Sequence, residues 1–584
     1  MIPSHAPFSP EQSSTLSALL ADFTPEQSTW LSGYLAGRSA SAAPAVAPAP
    51  LTVLYGTESG NSEALADQTV KAAKKKGLKA SMKNLADLKP TDLSGFEQMA
   101  VIVSTWGDGE PPESLDGFYE AFLKEEVDLK GSRFAVCALG DTSYEQFCET
   151  GKVFDARLEA LGAERITVRE DCDVDYDEAY GAWLDRLLDG VGSAGMVVDD
   201  FAAVASIPTV EYGKKNPFPA EVLESVLLNG EGSAKETIHL ELSLEGSGLT
   251  YEVGDALAVV PVNAADVIDD ILKLTGFSPD EEVEIKGGEV VSLGVALKHY
   301  LDITGLSRAI ARKYLALAPN EELAHLLSDE ATSEFRDWIW GRQIIDLLEA
   351  FPIKRLTAQQ FASVLRKLPP RLYSIASSLK AHPGEVHLTV AAVRYQGHGR
   401  DRKGVASTFL ADDAPVGSKV GVYVHRNNNF RLPVDDKAPI IMVGPGTGIA
   451  PFRAFIEERG ERAAKGDSWL FFGDQKYNYD FLYQLEWQDH LKEGNLTRLD
   501  VAFSRDQPEK VYVQDVMRQQ SGEFYHWLKK GAYLYVCGDA TRMAKDVHET
   551  LITIVEKEAH LSREEAVAYV DQLKKDKRYQ RDVY

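Results

Sequence analysis

Apolar residues recur along this chain with two periods that change over at regular intervals. Between Leu51 and about Gly192, short continuous apolar runs alternate with segments whose apolar residues fall at helical spacing. The runs Leu51–Tyr55, Met99–Ser104, Phe134–Leu139 and Arg165–Arg169 predict strands, and Ser62–Lys76 and Lys152–Leu161 predict helices. Such alternation predicts a doubly wound parallel sheet, whose ligands bind in the loops at the carboxyl ends of the strands.

A second region reads differently. Strand signals at Glu236–Leu242, Ala256–Val260, Val386–Arg394 and Val420–Val424 surround a long helical stretch, about residues 263–368. Within it Ala264–Thr275, Leu306–Ala316 and Glu334–Phe351 carry apolar residues at helical spacing. A β-barrel interrupted by a helical insertion fits this order. From about Asp435 the alternation returns, with strands expected at Ile440–Val443, Trp469–Phe472, Leu499–Phe503 and Leu534–Val536. The expected organisation is residues 1–50 as an N-terminal segment and tether, 51–192 as a parallel α/β unit, 193–215 as a hinge, 216–434 as the barrel and 435–584 as a second α/β unit.

The N-terminal segment holds two short helix-like pieces starting near Ser9 and Thr24. The Ala/Pro-rich run from Ser39 to Pro50 then reads as a semi-rigid tether. A piece that small has too little core to be a domain, so it is expected to be an assembly handle for homo-oligomers or partner docking.

Composition narrows the class. The net charge is −27, from 89 acidic and 62 basic residues, which argues against nucleic acid as a partner and suits a basic redox partner. No apolar run reaches the roughly 18–20 residues of a membrane span, and the N-terminus has no signal-peptide pattern. A cytoplasmic, membrane-free protein is expected. Cys137, Cys148, Cys172 and Cys537 form no CxxC pair or zinc spacing, so neither a disulfide scaffold nor a metal site is expected.

The loops carry the chemistry. Thr57-Glu58-Ser59-Gly60-Asn61-Ser62 follows a strand and opens a helix; its hydroxyls, amide and backbone N–H groups suit a phosphate dianion without a basic side chain. No Lys stands where a nucleoside triphosphate loop requires one. Ser104-Thr105-Trp106-Gly107 and Leu139-Gly140-Asp141-Thr142-Ser143-Tyr144-Glu145 each place an aromatic beyond a strand end, where Trp106 and Tyr144 would stack on the faces of an isoalloxazine ring. Farther on, Arg371-Leu372-Tyr373-Ser374 supplies a pyrophosphate cation, a packing aromatic and a hydroxyl. Gly404-Val405-Ala406-Ser407-Thr408 offers N–H groups to the same pyrophosphate, and Thr389, Val390, Ala391 and Tyr395 would wall the ring and the adenosine portion. The glycine turn Gly444-Pro445-Gly446-Thr447-Gly448 reads as a dinucleotide loop, with Ser504, Arg505, Lys510, Tyr512 and Gln514 around one strand end suited to the 2′-phosphate of NADP. Taken from the residues alone, Cys537 reads as a small buried hydrophobe and the Arg581-Asp582-Val583-Tyr584 terminus as a tail prone to fray.

With these loops in this order, the chain resembles the diflavin reductase family. The resemblance implies a flavodoxin-like module for FMN joined to a ferredoxin–NADP reductase-like module for FAD and NADPH. It extends the FMN loops through Gln146, Phe147 and Cys148, and the NADP contacts through Val511, Val513 and Asp546. It also implies that Tyr584 shields FAD until nicotinamide displaces it, and that Ser374, Cys537 and Asp582 surround the hydride path. Trp106 departs from the family, where Gln or Tyr is expected. Within the family the chain is most similar to the branch serving a haem/iron–sulfur subunit that reduces sulfite to sulfide. That likeness rests on Thr24-Pro25-Glu26-Gln27, Asp480-Phe481-Leu482-Tyr483 and Arg578-Tyr579-Gln580-Arg581-Asp582-Val583-Tyr584. The alternatives are a reductase for a cytochrome monooxygenase, which usually carries a hydrophobic anchor, and a non-catalytic redox-sensing scaffold.

Overall fold

A computed structural model describes residues 23–24, 49–57, 60–107, 109–142, 144, 146–191, 212–328, 330–352 and 355–584. The expected N-terminal helical pieces, most of the tether and most of the hinge lie outside the described residues, as do Glu58, Ser59, Ser143 and Glu145.

The first unit is the expected parallel sheet. Its strands β1 (Leu51–Gly56), β2 (Ala80–Asn84), β3 (Gln98–Ser104), β4 (Arg133–Leu139), β5 (Glu164–Arg165) and β6 (Glu170–Cys172) run in the order β2-β1-β3-β4-β5, with β6 also on β4. Strand alternation sends Val53 toward the helices Asn61–Lys75 and Asp177–Val191, whereas Leu54 meets Asp116–Lys124 and Glu149–Ala160. Both faces are therefore covered, and the strands read as unbroken apolar runs. The Arg165–Arg169 run expected as one strand is split between β5 and β6. Arg165 turns to Asp155 at 2.9 Å, Arg169 to Asp171 at 2.7 Å, and Val168 is left exposed.

The second unit is antiparallel. It comprises β7 (Phe218–Leu227), β8 (Thr237–Ser243), β9 (Ala256–Val260), β12 (Arg371–Ser374), β13 (Glu385–Ala391) and β16 (Lys419–His425), in the order β12-β9-β16-β7-β8-β13. A bridge between Ile375 and Leu388 joins the two ends and closes the barrel. Leu240, Leu242, Leu388, Val390 and Val422 fill its interior. Two hairpins stand outside it, β10 (Glu282–Glu284) with β11 (Val290–Ser292) and β14 (Arg394–Gly397) with β15 (Arg400–Lys403). Between β9 and β12 lies the helical insertion, with its own core around Ile271, Leu297, Tyr314 and Phe361. The expected helix Glu334–Phe351 breaks at Gly341, whose φ of 69° belongs to the left-handed region, leaving Thr332–Ile339 and Ile344–Ala350.

The third unit is again parallel: β17 (Ile440–Val443), β18 (Ser468–Asp474), β19 (Arg498–Phe503), β20 (Tyr533–Gly538) and β21 (Tyr579–Val583), in the order β19-β18-β17-β20-β21. Strand β21 corrects the expectation of a frayed terminus. It pairs in parallel with β20, and that register sets Asp582 beside Cys537.

The first unit is seated on the second. Arg366, from the insertion, holds Asp302 and Asp141 at once, each at 2.9 Å. A Cβ placed on Gly60 would stand 3.6 Å from the carbonyl oxygen of Arg426 at the end of the barrel.

Candidate functional site

The first cluster forms at the carboxyl ends of β1, β3 and β4, where the topology of a doubly wound sheet places ligands. Gly60 has φ 85°, its N–H donates to the Thr57 hydroxyl at 2.9 Å, and helix Asn61–Lys75 starts immediately afterward. Ser62 Oγ at that helix start and Ser104 Oγ at the end of β3 are buried with no hydrogen-bond partner among the described residues. Buried hydroxyls normally have partners. A phosphate at the helix start supplies one for Ser62, so this cradle fits the phosphate of FMN.

The next two loops are held by backbone and acid. Thr105 Oγ1 accepts from the Thr150 amide at 3.1 Å, and Trp106 and Glu110 exchange backbone hydrogen bonds around Gly107. Thr142 donates twice to Asp173, at 3.0 and 2.7 Å. A Cβ on Gly140 would lie 2.8 Å from the Cys148 nitrogen, with Phe147 at 3.0 Å, so only glycine lets these segments meet. The rings of Trp106 and Tyr144 remain exposed at the loop tips. Gln146 lies against Gly109, and Leu139 is buried at the end of β4.

The second cluster joins the barrel to the third unit. Ser374 Oγ, at the end of β12, donates to Asp582 Oδ2 at 2.7 Å, and the Cys537 thiol approaches the same oxygen at 3.9 Å. Asn427 Nδ2 reaches Asp582 Oδ1 at 3.5 Å, a contact no local motif signals. Burial raises the Asp582 carboxyl above its usual range and pushes the Cys537 thiol well up, which keeps that thiol protonated. Tyr373 is lifted to about 12 by burial. The last residue, Tyr584, is half-exposed and its hydroxyl shares a hydrogen bond with that of Thr447 across 2.9 Å.

Around this seam Arg371 and Leu372 are exposed, and Tyr395 is half-exposed on the β14/β15 hairpin. Gly404 opens the short helix Val405–Thr408; Ser407 Oγ accepts from Val393 N at 3.1 Å, and Ala406 is buried beneath it. The side chains of Val390 and Thr389 are already engaged. Strand alternation turns Val390 into the barrel core and the Thr389 hydroxyl to that of Tyr483, 2.7 Å away, and of the three residues Ala391 is exposed.

The third cluster surrounds the Gly444–Gly448 turn. A Cβ on Gly448 would stand 2.1 Å from the carbonyl oxygen of Cys537, and one on Gly444 would stand 2.5 Å from that of Gly448. The turn is therefore folded directly onto β20. Ser504 and Arg505 begin just after β19, tied by backbone bonds to Asp474 and Gln475 at 2.9 and 2.8 Å. Arg505 and Lys510 are exposed and enter no ion pair among the described residues, so both cations are available to a phosphate. Gln514 Nε2 donates to Asp546 at 3.2 Å, while its Oε1 is buried without a partner among the described residues. Val513 is buried, Val511 packs against the same core, and Tyr512 caps the helix beneath them. Lys235, from the loop before β8, crosses to Asp474 at 2.6 Å and lies 3.8 Å from where a Gly446 Cβ would be. No sequence motif pointed to it, because its role depends on two units meeting.

Family models coincide with the three units: flavodoxin over residues 53–183, FAD binding domain over 211–409 and oxidoreductase NAD-binding domain over 442–549. Those modules in that order define a diflavin reductase, an oxidoreductase using FMN, FAD and NADPH. Full-length relatives narrow the class. The sulfite reductase (NADPH) flavoprotein alpha-component of Bacillus subtilis (strain 168) is 48% identical over 600 residues, covering 99% of each chain. That of Vibrio cholerae serotype O1 (El Tor Inaba N16961) is 45% identical over 94% of this chain and 89% of its own, and that of Shewanella sp. (strain MR-7) is 42% identical over 99% and 98%. The chain belongs to the family of sulfite reductase (NADPH) flavoprotein alpha-components. Among the described residues no helix is long and apolar enough to cross a membrane.

Proposed function

We propose that this chain, working in the cytoplasm, carries electrons from NADPH through FAD and then FMN to a separate haem/iron–sulfur subunit that reduces sulfite to sulfide. The single observation that supports this reading best is the Ser374–Asp582–Cys537 cluster at the seam between barrel and nucleotide unit. When bound, the flavins take the electron pair of NADPH and release it one electron at a time.

Residues of this chain do the rest. Thr57, Gly60, Asn61 and Ser62, with the loops after β3 and β4, hold FMN in the module assigned to residues 51–192. Arg371, Tyr373, Tyr395 and Gly404–Ser407 hold FAD in the module 216–434. Thr447, Ser504, Arg505, Lys510, Tyr512, Gln514 and Asp546 hold NADPH in the module 435–584. Asp582 stabilises the positive charge that develops on nicotinamide, Ser374 hydrogen-bonds near the flavin atom that accepts the electrons, and Cys537 fixes the ring position. Tyr584 leaves its place against Thr447 when nicotinamide enters. Residues 1–50 act as the handle for homo-oligomers or for the partner subunit.

The test pairs two assays on flavin-replete protein. Rapid NADPH-dependent ferricyanide reduction is expected, together with sulfide production once a haem/iron–sulfur sulfite reductase subunit is added. No ferricyanide turnover favours the redox-sensing scaffold. Turnover with cytochrome monooxygenase but none with the sulfite-reducing subunit favours the other acceptor.

A further inference from the structure

The C-terminal strand β21 is fastened to the barrel by a loop that belongs to none of the cofactor motifs. That loop, residues 426–431, follows β16. Gln580 grips its far end: Gln580 Oε1 accepts from the Arg431 amide at 2.8 Å, and Gln580 Nε2 donates to the Arg431 carbonyl at 3.2 Å. Strand alternation turns Asp582 to the same side as Gln580, and there Asp582 meets the near end of the loop at Asn427. The loop rests on Gly254, where an added Cβ would stand 1.8 Å from the carbonyl oxygen of Phe430.

Asn427 is itself fixed from two directions. Its backbone N–H donates to Asp255 Oδ1 at 3.0 Å, and its side-chain Oδ1 accepts from the Asn429 amide at 3.1 Å. The second bond settles the side-chain orientation: the oxygen is taken by an N–H donor, so the Nδ2 end faces Asp582 Oδ1, 3.5 Å away. Asp255 is buried and pinned by the Arg426 guanidinium at 2.9 Å, by Arg431 and by the Glu252 amide at 2.9 Å. The carbonyl oxygen of Asp255 also accepts from Ile375 N at 3.1 Å, the residue after Ser374. One buried acid therefore places both Asn427 and the strand end that carries Ser374.

We propose that Asn427 is a positioning residue for hydride transfer: its Nδ2 holds Oδ1 of Asp582, so that Oδ2 stays on Ser374 and Cys537 and the carboxylate keeps its charge. The inference rests on the role given to Asp582 under the proposed function. A donor at 3.5 Å makes a weak bond in the resting chain, and catalytic hydrogen bonds of this kind tighten as the reacting complex forms. A hydrogen bond donated to a carboxylate favours its ionised form, which counters the removal of Asp582 from water. The titratable groups that face Asp582 from the neighbouring elements are His425 at the end of β16, Cys537 on β20 and Tyr584 beyond β21. The thiol and the phenol are uncharged near neutral pH, and His425, when protonated, favours the carboxylate as Asn427 does. Arg426 and Arg431 are committed to Asp255.

The experiment compares native, Asn427→Ala and Asn427→Asp protein, full-length and flavin-loaded. Infrared titration of the oxidised protein follows the protonated-carboxyl band that disappears in Asp582→Asn. Its midpoint should rise by about one pH unit in Asn427→Ala, the scale of one hydrogen bond to a charged group. It should rise further in Asn427→Asp, which keeps an acceptor for the Asn429 amide but sets a second carboxylate beside the first. Stopped-flow flavin reduction by NADPH should shift its pH midpoint upward in the same order. Should Asn427→Ala fail to fold, judged by melting temperature and FAD content, the near-isosteric Asn427→Asp carries the decision. Infrared midpoints equal to the native one overturn the positioning role. Shifted infrared midpoints with an unmoved rate profile show instead that Asp582 does not govern the reaction, which overturns its role in the proposed function and this inference with it.

Discussion

At the residue scale the reaction depends on where charge is allowed to sit. Asp582 is half-buried between Ser374 and Cys537, and its partial removal from water raises its carboxyl above the usual range. A raised carboxyl is neutralised at a higher pH than an exposed one, so its stabilising charge disappears as pH falls through that value. NADPH-dependent flavin reduction, followed by stopped flow, should therefore slow as pH is lowered. Asp582→Asn should be slower by about 10- to 100-fold and lack that pH dependence. A variant with the native pH profile would contradict the role. Arg505→Ala should weaken NADPH binding by about 1.5–3 kcal/mol with little effect on NADH, since an exposed guanidinium unpaired among the described residues is offered to the 2′-phosphate. Equal loss for both nucleotides in kinetic assays would argue against it. Trp106→Ala should release FMN while FAD stays bound, measured as flavin content after purification.

At the scale of elements, glycine and strand register decide what can meet. A Cβ on Gly448 would stand 2.1 Å from the backbone oxygen of Cys537, and backbone on β20 cannot yield as a flexible side chain could. Gly448→Ala should destabilise the chain by about 1–3 kcal/mol in denaturant unfolding and weaken nucleotide binding. Much of this architecture was legible in the pattern of residues. Ala256–Val260 and Ile440–Val443 have the expected bounds, and the phosphate loop follows β1 as anticipated. Other parts were not legible because they depend on partners distant in sequence. Strand β21 reads as a polar tail until β20 supplies its hydrogen bonds. The hydrogen bond of Thr389 to Tyr483 joins residues far apart in sequence, and Lys235 belongs to no local motif at all. The apolar period of Glu334–Phe351 carries through Gly341, where the backbone turns left-handed, so periodicity alone does not show the break.

At the scale of the whole molecule, the account requires two flavins held within one folded chain. The first unit presents its phosphate loop to the barrel near Arg426, next to Asn427, which contacts Asp582. Arg366 ties the arrangement together through Asp141 and Asp302, so Arg366→Ala removes the ion pair that spans the two units and should loosen the first unit. Small-angle scattering should then give a larger radius of gyration than for the native chain; an unchanged radius would show that the bridge does not hold the units together. The most direct measurement is the flavin content of purified, flavin-saturated protein, released by denaturation and separated by chromatography. The account predicts one FAD and one FMN per chain, whereas a single kind of flavin, or none, would contradict it.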